Sequence, residues 1–456
     1  MTNDMTLRRP PGPAPRRGIM DSLRYYAAFA HDPIGFVAGR FEQYGDIYWT
    51  PTSDGGLFVL KHPDHVREAL VTRASSFTKE HTAFTQLSRV LGEGLLTTDG
   101  DTWTRQRRMV QPAFAPSRMA GYAQVMIEES RRTSESWRTE DERDMSEEMA
   151  SLTLRIVGRT LFGHDVPGAD IRAIGRAMDA FQRSLSSPEF LPSWMPTPGR
   201  RELDRAMKEL NAIIHRLIEA RRAETSREPR TDLLEMLVTA VDVEGRGGKL
   251  SVKEVRDQLV TLFLAGHETT SNALTWTWAC LAQNPACERA LHAELDAVLG
   301  DRQPELADLE HLPYTEQVLS ESMRLYPPIY LIARRASEDT SVGGYPVPRG
   351  SEVIIWVYMA HRDPRFFPEP EVFRPERFTK EQVALLPKHA YLPFGGGPRA
   401  CIGKTFAMME ARLILATLAQ RHRVALAPGQ ALDVKPRITL TPKGGMRMLA
   451  SARAHD

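Results

Sequence analysis

The stretch Phe394-Gly395-Gly396-Gly397-Pro398-Arg399-Ala400-Cys401-Ile402-Gly403 brings together residue types that could do chemistry. A lone cysteine is ordinarily an inert core residue. Here three consecutive glycines let backbone amides approach the Cys401 sulfur closely. A helical pattern opens after Gly403, so the thiolate would stand near a helix N-terminus, where negative charge is favoured. Arg399, two residues upstream, can pair with an anionic ligand group. A thiolate held by donors beside a basic residue is what a haem iron requires of its axial ligand.

A second set, Ala265-Gly266-His267-Glu268-Thr269-Thr270, falls midway along a long apolar helix pattern. Burying Glu268 there is costly unless it is hydrogen-bonded or faces water. Gly266 costs about 1 kcal/mol relative to alanine inside a helix, and Thr269 can bond back to the Ala265 carbonyl and loosen the turn. Three destabilising choices this close together point to function. His267 between them reads as packed or solvated. Glu321 and Arg324 share a helix face at i, i+3, a pair that by itself is worth little. Trp103 and Arg107, at i, i+4, can put an indole N–H and a guanidinium on one face. Cys280 and Cys287 are spaced like core residues and receive no role.

The signature F-x-x-G-x-R-x-C-x-G is satisfied at Phe394, Gly397, Arg399, Cys401 and Gly403, and on it the chain resembles the cytochrome P-450 family of haem-thiolate monooxygenases. The pattern A-G-x-D/E-T-T is met in full at 265–270. Glu321 and Arg324 precede Cys401 with Pro375-Glu376-Arg377-Phe378 between, as the family orders them. The resemblance implies haem b with Cys401 as proximal ligand and Arg399 on a propionate. Trp103 and Arg107 become propionate donors, joined by Arg334 or Arg335; the spacing to Asp339-Thr340 and Gly343-Gly344 favours Arg334. Ala265, Phe394 and Gly403 are implied as further haem contacts. Glu321, Arg324 and Arg377 form the implied structural triad.

The resemblance also implies an oxygen pocket in which Glu268 and Thr269 are an acid–alcohol pair passing protons to dioxygen. Cleaving O–O needs two protons, so an acid, a hydroxyl and water in series suit the task. One oxygen atom would enter an apolar substrate and the other leave as water. A peroxide-driven or isomerising relative, or a haem sensor or carrier, would not need that pair. The substrate pocket is expected to draw on the loop before Trp103, with Phe84, Leu87, Val90 and Leu91, and on Phe181, Leu185, Phe263, Ile329 and Ile332. Plain core packing is the alternative for each. Such a lining calls for an apolar ligand: fatty acid, terpenoid, steroid or macrolide.

These residues need elements to hold them. Ser251 and Glu254 make a capping box, and the pattern that follows runs without proline to Asn284, about 50 Å of helix. Its middle is apolar all round, so it should cross the interior. Helices are also expected from Pro33 to Tyr44, from Pro285 to Gly300, from about Leu312 to Leu325 and from Lys404 to Ala419, with mostly helical sequence from Pro63 to about Ala240. Strands are expected at Ile47–Thr50 and Leu57–Leu60 around Asp54-Gly55-Gly56, within Ser341–Val357, and near Val424–Ala427 and Ile438–Leu440. The fold class is mainly α with a small β-subdomain. The expected divisions are a basic, proline-rich tail over 1–32, one large domain over 33–447 and a short tail over 448–456.

Composition narrows the rest. Among 456 residues, Lys+Arg number 59 against 58 Asp+Glu, which is no nucleic-acid footprint. Three cysteines are too few for a disulfide scaffold, so a reducing, cytoplasmic setting is expected. The longest apolar run, Leu259 to Gly266, falls far short of the ~20 residues of a membrane anchor. With no fused redox domain in the sequence, electrons are expected from a separate ferredoxin or flavodoxin with its reductase. Arg105 and Arg108, with Lys404 and Arg412, are expected to offer that donor a basic dock.

Overall fold

The structure is a computed structural model that describes residues 9–15, 18–52, 55–80, 82–139, 141–163, 166–186, 197–224, 232–242 and 248–453. By internal packing the chain forms two compact units, each assembled from separated stretches of sequence. One takes Met1–Phe84, Arg324–Val372 and Lys380–Cys401; the other takes Thr85–Met323, Phe373–Thr379 and Ile402–Asp456. No change of composition marks the division, because each unit collects sequence from both halves of the chain.

The first unit holds a five-stranded sheet in the order Ile47–Thr50, Leu57–Leu60, Glu352–Ile355, Ile332–Ala336, Phe77–Thr78. Leu57–Leu60 is antiparallel to Ile47–Thr50 and parallel to Glu352–Ile355. Its sequence, Leu-Phe-Val-Leu, does not alternate because both faces are covered. Phe58 and Leu60 join Val353, Ile355 and Val66 on one side. Val59 joins Tyr48, Val37, Phe41 and Trp356 on the other. A smaller hairpin, Thr340–Val342 with Tyr345–Val347, turns at Gly343 and Gly344, both at positive φ, as a two-residue hairpin loop demands. Two helices, Gly18–His31 and Pro33–Tyr44, precede the sheet. The first lies within the span expected to be a tail.

The second unit is helical around the long helix Val252–Gln283. Its capping box is formed as expected, with Glu254 N donating to Ser251 Oγ at 3.1 Å and Ser251 N to Glu254 Oε2 at 2.8 Å. It packs on Met145–Phe162, and the final helix Lys404–Ala419 packs on Pro116–Ser136. A three-stranded sheet, Asp141–Asp144, Arg447–Ala452 and His422–Leu426, completes the unit. Residues Thr82–Leu91, expected as a loop, are a helix. Among the described residues no helix is long and apolar enough to cross a membrane.

Candidate active site

The Cys401 loop belongs to the first unit and is tied by its own backbone. Cys401 N donates to Phe394 O at 2.9 Å, Ala400 N to Gly397 O at 3.0 Å and Gly395 N to Leu392 O at 3.0 Å. Leu392 N in turn donates to the buried His361 Nε2 at 2.9 Å. Gly397 stands at φ +67°, and a Cβ there would fall 1.8 Å from the Leu70 carbonyl oxygen. Only glycine lets the loop run this close to residues 68–72. Held this way, Cys401 is exposed, while Cys280 is buried and Cys287 half-buried. Gly403, two residues on, is the N-cap of Lys404–Ala419.

Among the described residues no three His, Cys, Asp or Glu side chains cluster to hold a metal ion. A lone exposed thiol suits iron only where a macrocycle fills the remaining positions, so the donor set fits haem. Arg334, on the strand Ile332–Ala336, is buried and donates Nη1 to Ala333 O at 2.8 Å. Arg399 ends the turn Gly397–Arg399. Ile332 Cδ1 would lie 3.7 Å from a Cβ on Gly395, so this half-buried side chain sits beside the loop; Ile329 is half-buried too.

The residues expected as a triad each hold backbone or charge partners within their own unit. In the second unit Glu321 Oε1 accepts from Arg377 Nε at 3.3 Å and from Arg374 N at 2.8 Å. In the first, the buried Arg324 donates to the carbonyls of His361, Pro370 and Val372 at 3.0, 2.7 and 3.3 Å. The Arg374 N contact has no forerunner in the sequence, since a backbone donor leaves no mark there.

The long helix is not enclosed all round. Leu262, Gly266 and Thr269 are half-buried and Ala265 is exposed, one stripe at helical spacing between buried turns. Thr269 Oγ1 donates to Ala265 O at 2.6 Å, the back-bond expected from sequence. Glu268 is buried beside this stripe, and its Oε1 accepts from Thr439 Oγ1 at 2.6 Å. Thr439 Oγ1 in turn accepts from Asn272 Nδ2 at 3.0 Å. Burial pushes the Glu268 carboxyl above its usual range and Asp179 adds to this, while Thr439, Arg437 and Gln182 hold it down. His267 is packed, with Nε2 against Ala150 O at 3.0 Å. Sequence reasoning misses Thr439 and Asn272, because nothing in it links position 439 to 268.

It misses Glu410, on the final helix, as well. This residue is wholly buried, and among the described residues neither carboxyl oxygen meets a hydrogen-bond partner. The Thr270 hydroxyl approaches it without reaching hydrogen-bond geometry. Burial pushes its pKa to about 8.

Trp103 and Arg107 share one face of the helix Gly100–Val110, the guanidinium 5.5 Å from the ring centroid. The neighbouring arginines are ion-paired. Arg105 Nη1 donates to Glu254 Oε1 at 2.6 Å, and Arg108 donates to Asp242 Oδ1 from Nε at 2.9 Å and Nη2 at 2.6 Å. Arg412 Nη1 pairs with Glu316 at 2.9 Å. Each of the three has a carboxylate partner in its own unit, of which Asp242 is 3% exposed, Glu254 28% and Glu316 52%; Lys404, the fourth residue expected at a dock, is exposed.

The expected substrate residues also divide. Phe84 is half-buried with Lys79 Nζ 5.4 Å from its ring centroid. Leu87 and Val90 are buried on the helix Thr82–Leu91. Leu91, Phe181 and Phe263 retain at most 1% exposure, so they have no surface to offer a ligand and belong to the core. Phe263 stacks towards Phe162 and His267, each at 6.3 Å. The Leu185 side chain lies outside the described residues.

Comparison with known proteins decides the family. The Cytochrome P-450 family model matches residues 10–448. The chain belongs to the cytochrome P-450 family. This P-450 is 39% identical over 428 residues to cyclooctatin synthase of Streptomyces melanosporofaciens, covering 93% of the chain and 92% of the relative. It is 34% identical to cyclooctat-9-en-7-ol 5-monooxygenase of the same organism, over 92% of the chain and 91% of the relative. With pentalenene oxygenase of Streptomyces avermitilis it shares 30%, over 89% of each. The haem domain of cytochrome P450DA superposes with a TM-score of 0.86 at 28% identity, covering 98% of both chains. The P-450 is therefore a monooxygenase, an oxidoreductase of the haem-thiolate class.

Proposed function

We propose that this P-450 binds haem b through Cys401 and inserts one atom of dioxygen into an apolar cyclic alkene or alkenol. Cys401 carries the reading: of three cysteines it alone is exposed, and it stands on the glycine-turned loop. The relatives are named for an alkenol, cyclooctat-9-en-7-ol, and for pentalenene. Arg334, Arg399, Trp103 and Arg107 supply the cations and N–H donors that haem propionates would take. Phe394, Ala265 and Gly403 would contact the ring. Ile329 and Ile332, both half-buried, suit the apolar substrate, as does Phe84. Bound haem would supply the activation of dioxygen.

The chain's own part is proton supply. Burial keeps Glu268 protonated to higher pH than a free carboxyl. Thr269 stands on the open stripe, where its hydroxyl can leave the Ala265 carbonyl and pass a proton on. Electrons would come from a separate ferredoxin or flavodoxin with its reductase. With no disulfide among its three cysteines, the protein suits the cytoplasm.

The test is turnover with NADH, a reductase, a ferredoxin and isotopically labelled dioxygen. Label in the product is expected; product formed only with added peroxide would sink the reading. Cys401→Ser should abolish the strongly red-shifted Soret band of the reduced carbon monoxide complex. Its persistence would reject Cys401 as the ligand.

A further inference from the structure

The helix Gly18–His31 buries none of its residues. One side is used: Tyr25 and Phe29 stand edge-on to Phe36 at 5.1 and 5.7 Å. The other is bare. Ile19, Leu23 and Tyr26 fall on one stripe at i, i+4 and i+7, exposed by 79%, 57% and 59%, with Met20 beside them at 63%. A contiguous apolar stripe of this kind on a folded surface marks an interaction site.

Next to the helix lies a cleft of about 520 Å³, whose lining includes Arg24, Arg40, Tyr25, Phe36 and Asp21. The Arg40 guanidinium carbon is 4.8 Å from the Phe36 ring centroid and 5.5 Å from that of Tyr25. Among the described residues its buried Nη1 has no hydrogen-bond partner. An unmet guanidinium donor held on aromatic faces is complementary to an anionic oxygen. Two arginines against one aspartate leave the cleft cationic. The seventeen residues ahead of the helix add four arginines against one aspartate.

We propose that Gly18–His31 lies in the surface of an anionic membrane, its Ile19–Leu23–Tyr26 stripe among acyl chains and a lipid phosphate in the Arg24–Arg40 cleft. An apolar face bordered by cations is the pattern of an interfacial helix, which binds without spanning. Charge selects this occupant over a second copy, because pairing the stripe with itself would bring two sets of arginines together. The inference is independent of the haem and of the reaction.

The test is sedimentation of the full-length, haem-loaded protein with vesicles of phosphatidylcholine, with and without phosphatidylglycerol. Binding to the anionic vesicles only is expected, weakening as salt rises. Arg40→Gln should weaken it about fivefold, the share of one cation near the surface. Leu23→Glu should weaken it about tenfold or more; this position is exposed, so the variant should fold, and an unchanged thermal melt checks that. No binding by the wild-type protein overturns the proposal, as does binding indifferent to Leu23→Glu. A concentration-dependent dimer dispersed by Leu23→Glu, without vesicle binding, would assign the stripe to a second copy. Inorganic phosphate bound at Arg40 without vesicle binding would make the cleft a small-anion site and also overturn it.

Discussion

The Thr439 hydroxyl donates to Glu268 Oε1 at 2.6 Å across 171 positions of sequence. This bond favours the charged carboxylate and so opposes the burial that keeps it neutral. Thr439→Val should let the Glu268 pKa climb further. If protonated Glu268 feeds the reaction, activity falls as pH rises through its pKa, and the variant should carry that limb to higher pH. The pH profile of product formed per NADH consumed reads this directly; an unmoved limb would mean that another group sets it.

Thr269→Ala and Glu268→Gln should both keep haem and substrate binding while diverting electrons into peroxide. Product per NADH should fall and peroxide rise. Unchanged coupling in both variants would remove these residues from proton supply.

Glu410 makes stability depend on pH. Its folded pKa, about 8, lies above the unfolded value of 4.5. The native state therefore binds the extra proton, and stability is greatest below pH 4.5 and lost as pH rises towards 8. Each tenfold difference in proton affinity between the folded and unfolded chain is worth about 1.4 kcal/mol. Glu410→Gln, neutral at every pH, should match the wild type near pH 4 and melt progressively higher than it as pH rises to 8 to 9. Parallel melting curves at both ends would place the proton elsewhere.

Arg108 and Asp242 form a structural pair, since the Asp242 side chain is 3% exposed and that of Arg108 34%. Among the described residues, Arg108→Ala should leave this buried carboxylate with Arg105 as its remaining cation, at 3.8 Å. A loss of about 1–3 kcal/mol in urea unfolding is expected, less than for a fully buried pair because Arg108 is partly solvated. A loss within error would return Arg108 to a solvated role.

Gly397→Ala should disturb the Cys401 loop without touching the thiol. Left-handed backbone costs a non-glycine residue about 1–2 kcal/mol, and the Leu70 carbonyl leaves no room for the methyl. A lower melting point of the protein freed of haem, together with lower haem content, is the expected outcome. A variant melting with the wild type would show that the loop relaxes freely.

Local signals are legible in the sequence and distant ones are not. The capping box at Ser251, the glycine-turned Cys401 loop and the Thr269 back-bond each lie within a few residues, so spacing alone carries them. Thr439, Arg374 N and the partners of Arg105 and Arg108 come from elsewhere in the chain and have no local pattern. The surplus of arginines on Gly100–Val110 looks solvated in sequence only because Asp242 and Glu254 are over a hundred positions away. Phe181 and Phe263 illustrate a different limit: an apolar side chain reads the same whether it meets a ligand or another core residue. Thr82–Leu91 is a helix where a loop is expected, although its apolar positions 84, 87 and 91 keep helical spacing.

The interleaving of the two units has a consequence for synthesis. Leu57–Leu60 pairs in parallel with Glu352–Ile355, so one strand emerges long before its neighbour is made. At about 5–20 residues per second the wait is roughly 15–60 s. Throughout it, an apolar strand offers an unpaired row of amides and carbonyls, the kind of edge on which chains aggregate. A ribosome-bound chain halted before Glu352 should therefore engage holding chaperones through Leu57–Leu60, and release them once the later strand arrives.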